Sequence, residues 1–255
     1  MTRVCSAAMT PPPDLSRAHP GRRLRSDLAR QVADVLRGQI AAGALGPRLP
    51  DEPALQREFS VSRNSVREAL DILRSEGLVE RLPGVGTVVR MPKFAHTVDA
   101  IRGLSESLRE HGALRNEVRT AGRVRPPRSV AAALRAEGDV LCIERLRRLD
   151  GVPIALDLTY LPVAVGLPLL SADLEDEDLF TLIERTSGKR LRADQVSVDA
   201  VTADAPSARL LGVRTGAPLL VLQRLTRFTD GTPADLEFVR MRGDRITVRM
   251  TPERS

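Results

Sequence analysis

The sequence contains few of the residues from which disulfide bridges and metal sites are built. It has two cysteines, Cys5 and Cys142, and three histidines, His19, His96 and His111, in 255 residues. Two cysteines cannot form a disulfide framework, and histidines so far apart lack the spacing of zinc ligands. We therefore expect no metal centre, no redox chemistry and no cofactor.

Long apolar runs are also missing. No stretch approaches the roughly 18 consecutive apolar residues that a membrane-spanning helix needs, and the N-terminal segment has no apolar stretch typical of a signal peptide. These features predict a cytoplasmic protein without a membrane partner. Apolar residues make up 42% of the chain, which is enough to pack two ordinary domains. The net charge of +6 suits a polyanionic partner, but it suits any arginine-rich protein equally well.

The N-terminal part of the chain divides into an irregular segment and a helical one. Residues 1–24 are rich in proline, arginine and alanine without periodicity, which predicts a disordered arm. From Arg25 apolar residues recur at the spacing of one helical face, and this pattern ends at Gly43.

Two shorter helices and a hairpin are predicted next. Asp51 and Ser62 have the positions of N-caps for the second and third helices. Two short strands over 78–81 and 87–90 are joined by a Pro-Gly-Val-Gly tip. Three helices followed by a β-hairpin is the order of a winged helix-turn-helix, so we predict a DNA-binding domain over 25–91.

The third predicted helix has the chemistry of a nucleic-acid contact. Arg63 and Arg67 lie four residues apart, so both guanidinium groups share one helical face. Arginine binds guanine in a bidentate way or neutralises phosphate, and short polar side chains bond phosphate oxygens or base edges. The alternative is a solvated face on which Arg67 pairs with Asp71. With two glycines of the wing tip included, the predicted DNA-binding residues are Ser62, Arg63, Asn64, Ser65, Arg67, Gly84 and Gly86.

The second half of the sequence has the pattern of an α+β domain. A linker is predicted over 92–97 and a helix over 98–110, and alternating, β-branched runs predict a mostly antiparallel sheet within a domain over 98–250. Asp150-Gly151 and Asp230-Gly231 separate two similar pairs of runs, which predicts two related hairpins in one sheet. Further short helices are predicted at 129–135, 178–186 and 207–211.

An arginine pair lies in the first of these predicted hairpins. Arg145 and Arg147 alternate along one strand, so their side chains point to the same face of the sheet. Two arginines on an inner face are unfavourable unless an anion or a carboxylate meets them. One interpretation is an anion-binding site to which Asp157 contributes; the other is a structural ion pair with Asp157 or Glu144.

Residues 28–90 resemble the DNA-binding domain of GntR-family transcriptional regulators. The motifs that carry the resemblance are IAAGALGPRLPDE, VSRNSVREAL, LRSEGLV and the wing GVGT. The resemblance implies that bases and phosphates are contacted by Arg63, Asn64, Ser65 and Arg67, and that Gly84 enters the minor groove. Two departures affect operator preference: Pro53 stands where the family usually has a base-reading arginine, and Pro47-Arg48 replaces the usual Pro-Gly.

Residues 98–250 resemble UTRA, the ligand-sensing and dimerisation domain of the HutC subfamily, whose fold is like that of chorismate lyase. The resemblance rests on LRRLDGVPIALDLTYLP, LGVRTGAPLLVLQR, DGTPADLE and RGDR in this order. It implies that the arginine pair contacts an anionic group and that two acids and a serine help to hold the effector. The implied effector-binding residues are Ser105, Arg145, Arg147, Asp157 and Asp235. Both acids are glutamates in relatives, and Met241 replaces a frequent aromatic residue, so the ligand itself is not implied.

The expected function is that of a DNA-binding transcriptional regulator. We expect a repressor that binds double-stranded operator DNA, an inverted repeat, as a homodimer and responds to a small phosphorylated or otherwise anionic effector. An activator of the same build and a chorismate-lyase-like enzyme are the alternatives. No catalytic constellation of serine, cysteine and histidine is visible, so we expect no enzyme and no catalytic residues.

Overall fold

The computed structural model of the protein describes residues 25–90, 93–98 and 103–251. The arm predicted over 1–24 lies outside the described residues, as does part of the predicted linker. Within the described ranges, no helix is both long and apolar enough to cross a membrane.

The N-terminal head has the predicted order of three helices and a hairpin. Its elements are α1 (Arg25–Ala41), α2 (Glu52–Phe59), α3 (Arg63–Ser75), β1 (Val79–Leu82) and β2 (Gly86–Val89). Both predicted N-caps are confirmed, because Asp51 Oδ1 accepts from the Ala54 amide at 2.8 Å and Ser62 Oγ accepts from the Ser65 amide at 3.2 Å. Each cap satisfies an amide that has no partner inside the helix.

One apolar core holds the head together. The side chains that face it come from all three helices, from the segment before α2 and from the start of the hairpin, namely Val32, Ala33, Leu36, Ile40, Leu49, Leu55, Val66, Ala69, Leu73, Leu78 and Val79. Because α1 and α3 bury one face each against this core, the opposite face of α3 is left for solvent or a partner.

The second domain is built on a six-stranded antiparallel sheet with the strand order β4-β5-β6-β9-β8-β7. The strands are β4 (Leu114–Val124), β5 (Val140–Leu149), β6 (Val152–Pro162), β7 (Leu191–Thr202), β8 (Pro218–Phe228) and β9 (Pro233–Arg242). The two predicted Asp-Gly turns join β5 to β6 and β8 to β9. Since β6 pairs with β9, the two hairpins lie side by side.

Helices cover both faces of this sheet. On the outer face, α5 (Arg128–Leu134) and α8 (Ala205–Leu211) pack on leucines of the sheet. On the inner face lie α4 (Leu104–Leu108) and α7 (Leu179–Ser187), with α6 (Val163–Gly166) beside α7. The predicted helices at 129–135, 178–186 and 207–211 are therefore present, with ends shifted by one or two residues.

The segment predicted as a linker forms a strand. Phe94–Thr97 (β3) pairs in parallel with Ile246–Arg249 (β10), and the Val98 amide donates to Arg249 O at 3.0 Å. The linker over 92–97 remains a prediction, although four of its residues form β3. Of the helix predicted over 98–110, Val98 is not helical and Leu104–Leu108 are. A local pattern could not show the pairing of β3, because the partner strand lies at the other end of the domain.

We expect Leu36→Ala to destabilise the head by about 2–5 kcal/mol, since Leu36 is fully buried where α1 meets the core. The matched control is Val35→Ala, because Val35 is 49% exposed on the same helix, and its effect should stay within about 0.5 kcal/mol. Urea unfolding followed by circular dichroism would measure both, as the chain has no tryptophan. Equal losses for the two variants would contradict this assignment of the core.

Candidate functional site

The exposed face of α3 presents a group of polar side chains. Arg63, Asn64 and Arg67 are exposed, whereas Val66 and Leu73 on the opposite face are buried. The structure therefore brings the two predicted arginines together at the N-terminal end of a helix that is held by its other face. This geometry leaves their guanidinium groups available to an external partner.

The two serines at the start of α3 have different roles. Ser62 is exposed at the N-cap, whereas Ser65 is buried, and their hydroxyl oxygens are 3.0 Å apart. The Ser65 side chain thus faces the interior of the head and supports the cap. Of the pair, Ser62 has the hydroxyl that a partner can reach.

The ion pairs around α3 test the alternative in which Arg67 pairs with Asp71 on a solvated face. Asp71 pairs with Arg74 at 2.6 Å, and within the described residues Arg67 has no ion-pair partner. Arg63 Nε lies 3.1 Å from Glu52 Oε2, which orients a guanidinium that remains 70% exposed. The alternative pairing of Arg67 with Asp71 is therefore not made, and Arg67 keeps all its donors.

The wing tip requires glycine for its backbone conformation. Gly84 has a φ of 74° and Gly86 a φ of 112°. Residues with a side chain rarely adopt such positive φ values. Without side chains at these positions the tip is narrow, and its backbone can approach a groove or a sugar-phosphate chain closely.

Polar residues form a diagonal stripe across the inner face of the sheet. Pairing registers place Arg147 beside Asn116, Arg145 beside Asp157, and Thr159 beside Glu237. The buried members of this polar stripe are Asn116, Arg145, Arg147, Asp157, Thr159, Arg224, Thr226, Asp235 and Glu237. Apolar residues under α4 border it on one side and apolar residues under α7 on the other.

One carboxylate serves two arginines at the first end of the stripe. Asp157 Oδ2 lies 2.8 Å from Arg145 Nη2 and 2.6 Å from Arg147 Nη2, and its Oδ1 accepts from Thr159 at 3.0 Å. Burial alone raises the Asp157 pKa, but Arg147 and Arg145 together outweigh it and hold the pKa below its ordinary value. Two positive charges against one negative charge leave this trio with a net charge of about +1.

Residues outside the trio also contact the two arginines. Arg147 Nη1 donates to Ser105 Oγ of α4 and to Asn116 Oδ1 at 3.2 Å, and Arg145 Nη1 lies 3.5 Å from Leu174 O. The Nε atoms of both arginines are buried and have no hydrogen-bond partner within the described residues. The predicted residues Ser105, Arg145, Arg147 and Asp157 therefore meet in one place and retain unused donors.

The second end of the stripe contains an unpaired acid. Both Asp235 oxygens and the Thr226 hydroxyl are buried without a hydrogen-bond partner among the described residues. Burial, and next the neighbouring Glu237 carboxylate, raise the Asp235 pKa well above its ordinary value, so the neutral acid is favoured. An unsatisfied buried acid is unfavourable for folding, and a ligand that offers a hydrogen-bond donor would relieve it.

The second hairpin contains an ion pair that sequence reasoning missed. Arg224 and Glu237 face each other across β8 and β9, as Arg145 and Asp157 do across β5 and β6, with Arg224 Nε at 2.5 Å from Glu237 Oε1. The Arg224 guanidinium also lies 4.5 Å above the Phe180 ring centre. The similarity of the two hairpins was the available signal for this pair.

His96 is a second residue that sequence reasoning missed. It is buried on β3, and its Nδ1 lies 3.1 Å from Ser107 Oγ of α4. Burial, together with the charges of Arg224 and Arg147, lowers its pKa to about 4. His96 therefore connects the strand that follows the head to the helix that touches the stripe.

The two layers over the stripe touch each other at one glycine. Gly103 lies at the N-cap of α4, and a Cβ there would overlap the carboxylate of Asp178, the N-cap of α7. Only glycine allows this approach of α4 to α7. The described ranges contain no group of three or more His, Cys, Asp or Glu side chains that could hold a metal ion.

These features define a class of protein, in which a winged helix-turn-helix with an exposed arginine face is joined to a sheet domain with a buried polar site. The chain matches the bacterial regulatory proteins of the gntR family over residues 28–89 and the UTRA domain over residues 109–247. It therefore belongs to the GntR family of regulators and has the HutC architecture of a winged helix followed by UTRA.

Individual relatives resemble the chain over most of its length. It is 31% identical over 231 residues to an HTH-type transcriptional regulator of Mycobacterium tuberculosis, covering 88% of this chain and 86% of that protein. It is 28% identical to the HTH-type transcriptional repressor NagR of Bacillus subtilis, covering 85% and 91%. The crystal structure of PhnF from Mycobacterium smegmatis has a TM-score of 0.62 at 26% identity, covering 88% of this chain and 100% of that one.

The family membership settles the general function. The protein is a DNA-binding transcriptional regulator whose second domain is a ligand-binding effector domain, and its relatives are regulators rather than enzymes. The chorismate-lyase-like alternative is thereby excluded.

Two acids of the stripe should respond in opposite ways to removal of their charge. Asp157→Asn should lower the free energy of unfolding by about 3–5 kcal/mol, because two buried arginines lose their carboxylate. Asp235→Asn should leave it unchanged or raise it, since burial and the Glu237 carboxylate disfavour the charge of this acid.

The pH dependence separates these two effects. The raised Asp235 pKa means that the folded state binds more protons than the unfolded state, so wild-type stability should fall as the pH rises above about 4 towards that pKa. Asp235→Asn should remove this component. Urea unfolding between pH 5 and pH 8 would test it, and an unchanged slope in the variant would contradict the assignment.

Proposed function

We propose that the protein is a repressor whose operator affinity falls when a small anionic metabolite binds the polar stripe. The observation that carries the proposal is the buried trio, in which Arg145 and Arg147 share Asp157 and retain unpaired Nε donors. A trio with excess positive charge in a dry site favours an anion strongly. Ser105 extends this anion site from α4.

The effector should also offer a hydrogen-bond donor. Asp235 and Thr226 lie opposite each other on neighbouring strands at the far end of the stripe, and their buried side-chain oxygens make no hydrogen bond of good geometry with the described residues. A hydroxyl or amino group at this end of the ligand would satisfy the acid, while the anionic group binds the arginines. Asp157 and Asp235 thus distinguish the two ends of the ligand.

On the DNA side, we propose that α3 enters the major groove with its N-terminal end. Arg63, Asn64 and Arg67 then reach base edges and phosphates, Ser62 bonds the backbone, and the tip formed by Gly84 and Gly86 approaches the minor groove. Ser65 supports the helix start from the inside. A homodimer places two such heads on an inverted repeat, because a two-fold protein reads a two-fold site.

The contacts of β3 support a route from the stripe to the head. Arg147 contacts Ser105 of α4, and Ser107 of the same helix contacts His96 on β3. The partner strand β10 carries Arg249, which donates to Ala41 O at the end of α1. An effector that moves Arg147 would shift α4 and β3, and differential binding of about 1–3 kcal/mol is typical for such coupling.

This route also refines the proposed domain boundary. From the sequence, we predicted a head over 25–91 and a sensing domain over 98–250. In the structure, β3 pairs with β10 of the sensing domain. We therefore assign residues from 94 onwards to the effector side, which leaves a very short connection to the head.

Arg67→Ala should weaken operator binding about tenfold and lower its salt dependence by about one unit, because one phosphate contact is lost. The matched control is Arg209→Ala, which removes an exposed arginine of α8 in the other domain. Fluorescence anisotropy with an operator duplex at several salt concentrations would measure both. An affinity and slope equal to those of Arg209→Ala would remove Arg67 from the interface.

Arg147→Ala should spare operator binding and abolish release by the effector. The effector would first be identified as a phosphorylated or amino metabolite that raises the melting temperature of the wild type. Ser105→Ala is the milder companion, because it removes only the α4 hydroxyl and leaves the Asp157 pair intact. If both variants fold and still release DNA like the wild type, the stripe is not the effector site.

A further inference from the structure

Arg48 lies against the wing although it precedes α2 in the chain. The Leu49 amide donates to Thr87 O and the Val89 amide to Pro47 O, both at 2.9 Å, so Arg48 is bridged to Val88 as on an added strand. This pairing fixes the Arg48 backbone on the outer edge of β2.

The side chain of Arg48 reaches the wing tip. A Cβ placed on Gly86 would lie 3.0 Å from both Nε and Nη2 of Arg48. The guanidinium therefore occupies the space beside Gly86 that a side chain would otherwise fill. Because Gly86 has a φ of 112°, the same glycine permits both the turn of the tip and the approach of this arginine.

The charge of Arg48 is not used within the described part of the chain. Arg63 and Arg81 of the same head share Glu52, and Arg90 at the end of the wing pairs with Glu80 at 2.9 Å. Arg48 is exposed and has neither an ion pair nor a hydrogen bond from its side chain to the described residues. A positioned guanidinium without a carboxylate is a donor for an external anion.

We propose that Arg48 enters the minor groove beside the wing tip and reads its width, giving preference to A·T pairs below the wing. This inference rests on the proposed placement of α3 in the major groove and of the wing beside it. Narrow A·T-rich minor grooves have an enhanced negative potential that attracts inserted arginine. The minor-groove edge distinguishes little beyond A·T from G·C, so a single donor-only side chain suits this readout.

The start of α2 offers no side-chain donor to DNA at Pro53. Pro53 occupies the first turn of α2 and has no side-chain donor, so this position contributes no base contact from its side chain. At this end of the head, Arg48 therefore offers side-chain donors to DNA, whereas Pro53 offers none.

The test uses the full-length protein and a duplex that it selects from a randomised pool. The pairs below the wing are then made A·T, G·C or inosine·C, since inosine removes the minor-groove amine of guanine and keeps its major-groove edge. The wild type should bind the A·T and inosine·C duplexes about tenfold more tightly than the G·C duplex.

The variants separate shape reading from charge. Arg48→Ala should bind the A·T duplex about tenfold more weakly, lose the preference and reduce the salt slope by about one unit. Arg48→Lys should restore the slope but not the preference, because lysine lacks the planar guanidinium. Arg90→Ala is the matched wing control and should behave like the wild type, with melting temperatures confirming that all variants fold.

The outcomes distinguish this inference from the proposed function. If Arg48→Ala keeps the wild-type preference and slope, Arg48 does not read the groove. Specific binding by the wild type without discrimination among the three duplexes also overturns this inference, but leaves the regulator's operator binding intact. Failure of the wild type to select any duplex would overturn both.

Discussion

The structure depends on one shared carboxylate. Asp157 lies in the middle of the sheet with no exposure, and its two oxygens hold Arg145, Arg147 and Thr159. Buried guanidinium groups are tolerable only with such a partner, and a single carboxylate leaves them with excess positive charge. The same arrangement that lets the domain fold therefore leaves an excess of positive charge in its interior.

The layers around this carboxylate connect it to the rest of the protein. α4 contacts the stripe through Ser105 and contacts β3 through Ser107, so one short helix touches both the polar stripe and the strand nearest to the head. Gly103 lets α4 approach α7 closely over the stripe. In the proposed function, a ligand that separates α4 from α7 would also move β3, and this movement would link the stripe to the head.

The head could be predicted almost completely because its signals are local. Asp51 and Ser62 cap the helices that follow them, and the spacing of Arg63 and Arg67 already placed them on one face. The hairpins of the sheet were also predictable from their Asp-Gly turns. β3 was not, since its pairing with β10 joins residues about 150 positions apart and leaves no local pattern.

The sequence by itself determined the class of the protein, the helix that carries the arginines and the strand that carries Arg145 and Arg147, because periodicity and caps are properties of neighbouring residues. Only the tertiary structure decided which charges are satisfied. In the folded domain, Glu237 pairs with Arg224, the Asp235 oxygens are buried without a hydrogen bond among the described residues, and His96 is buried. Burial and pairing depend on residues brought together from distant strands, and those contacts set both the pKa values and the remaining binding capacity.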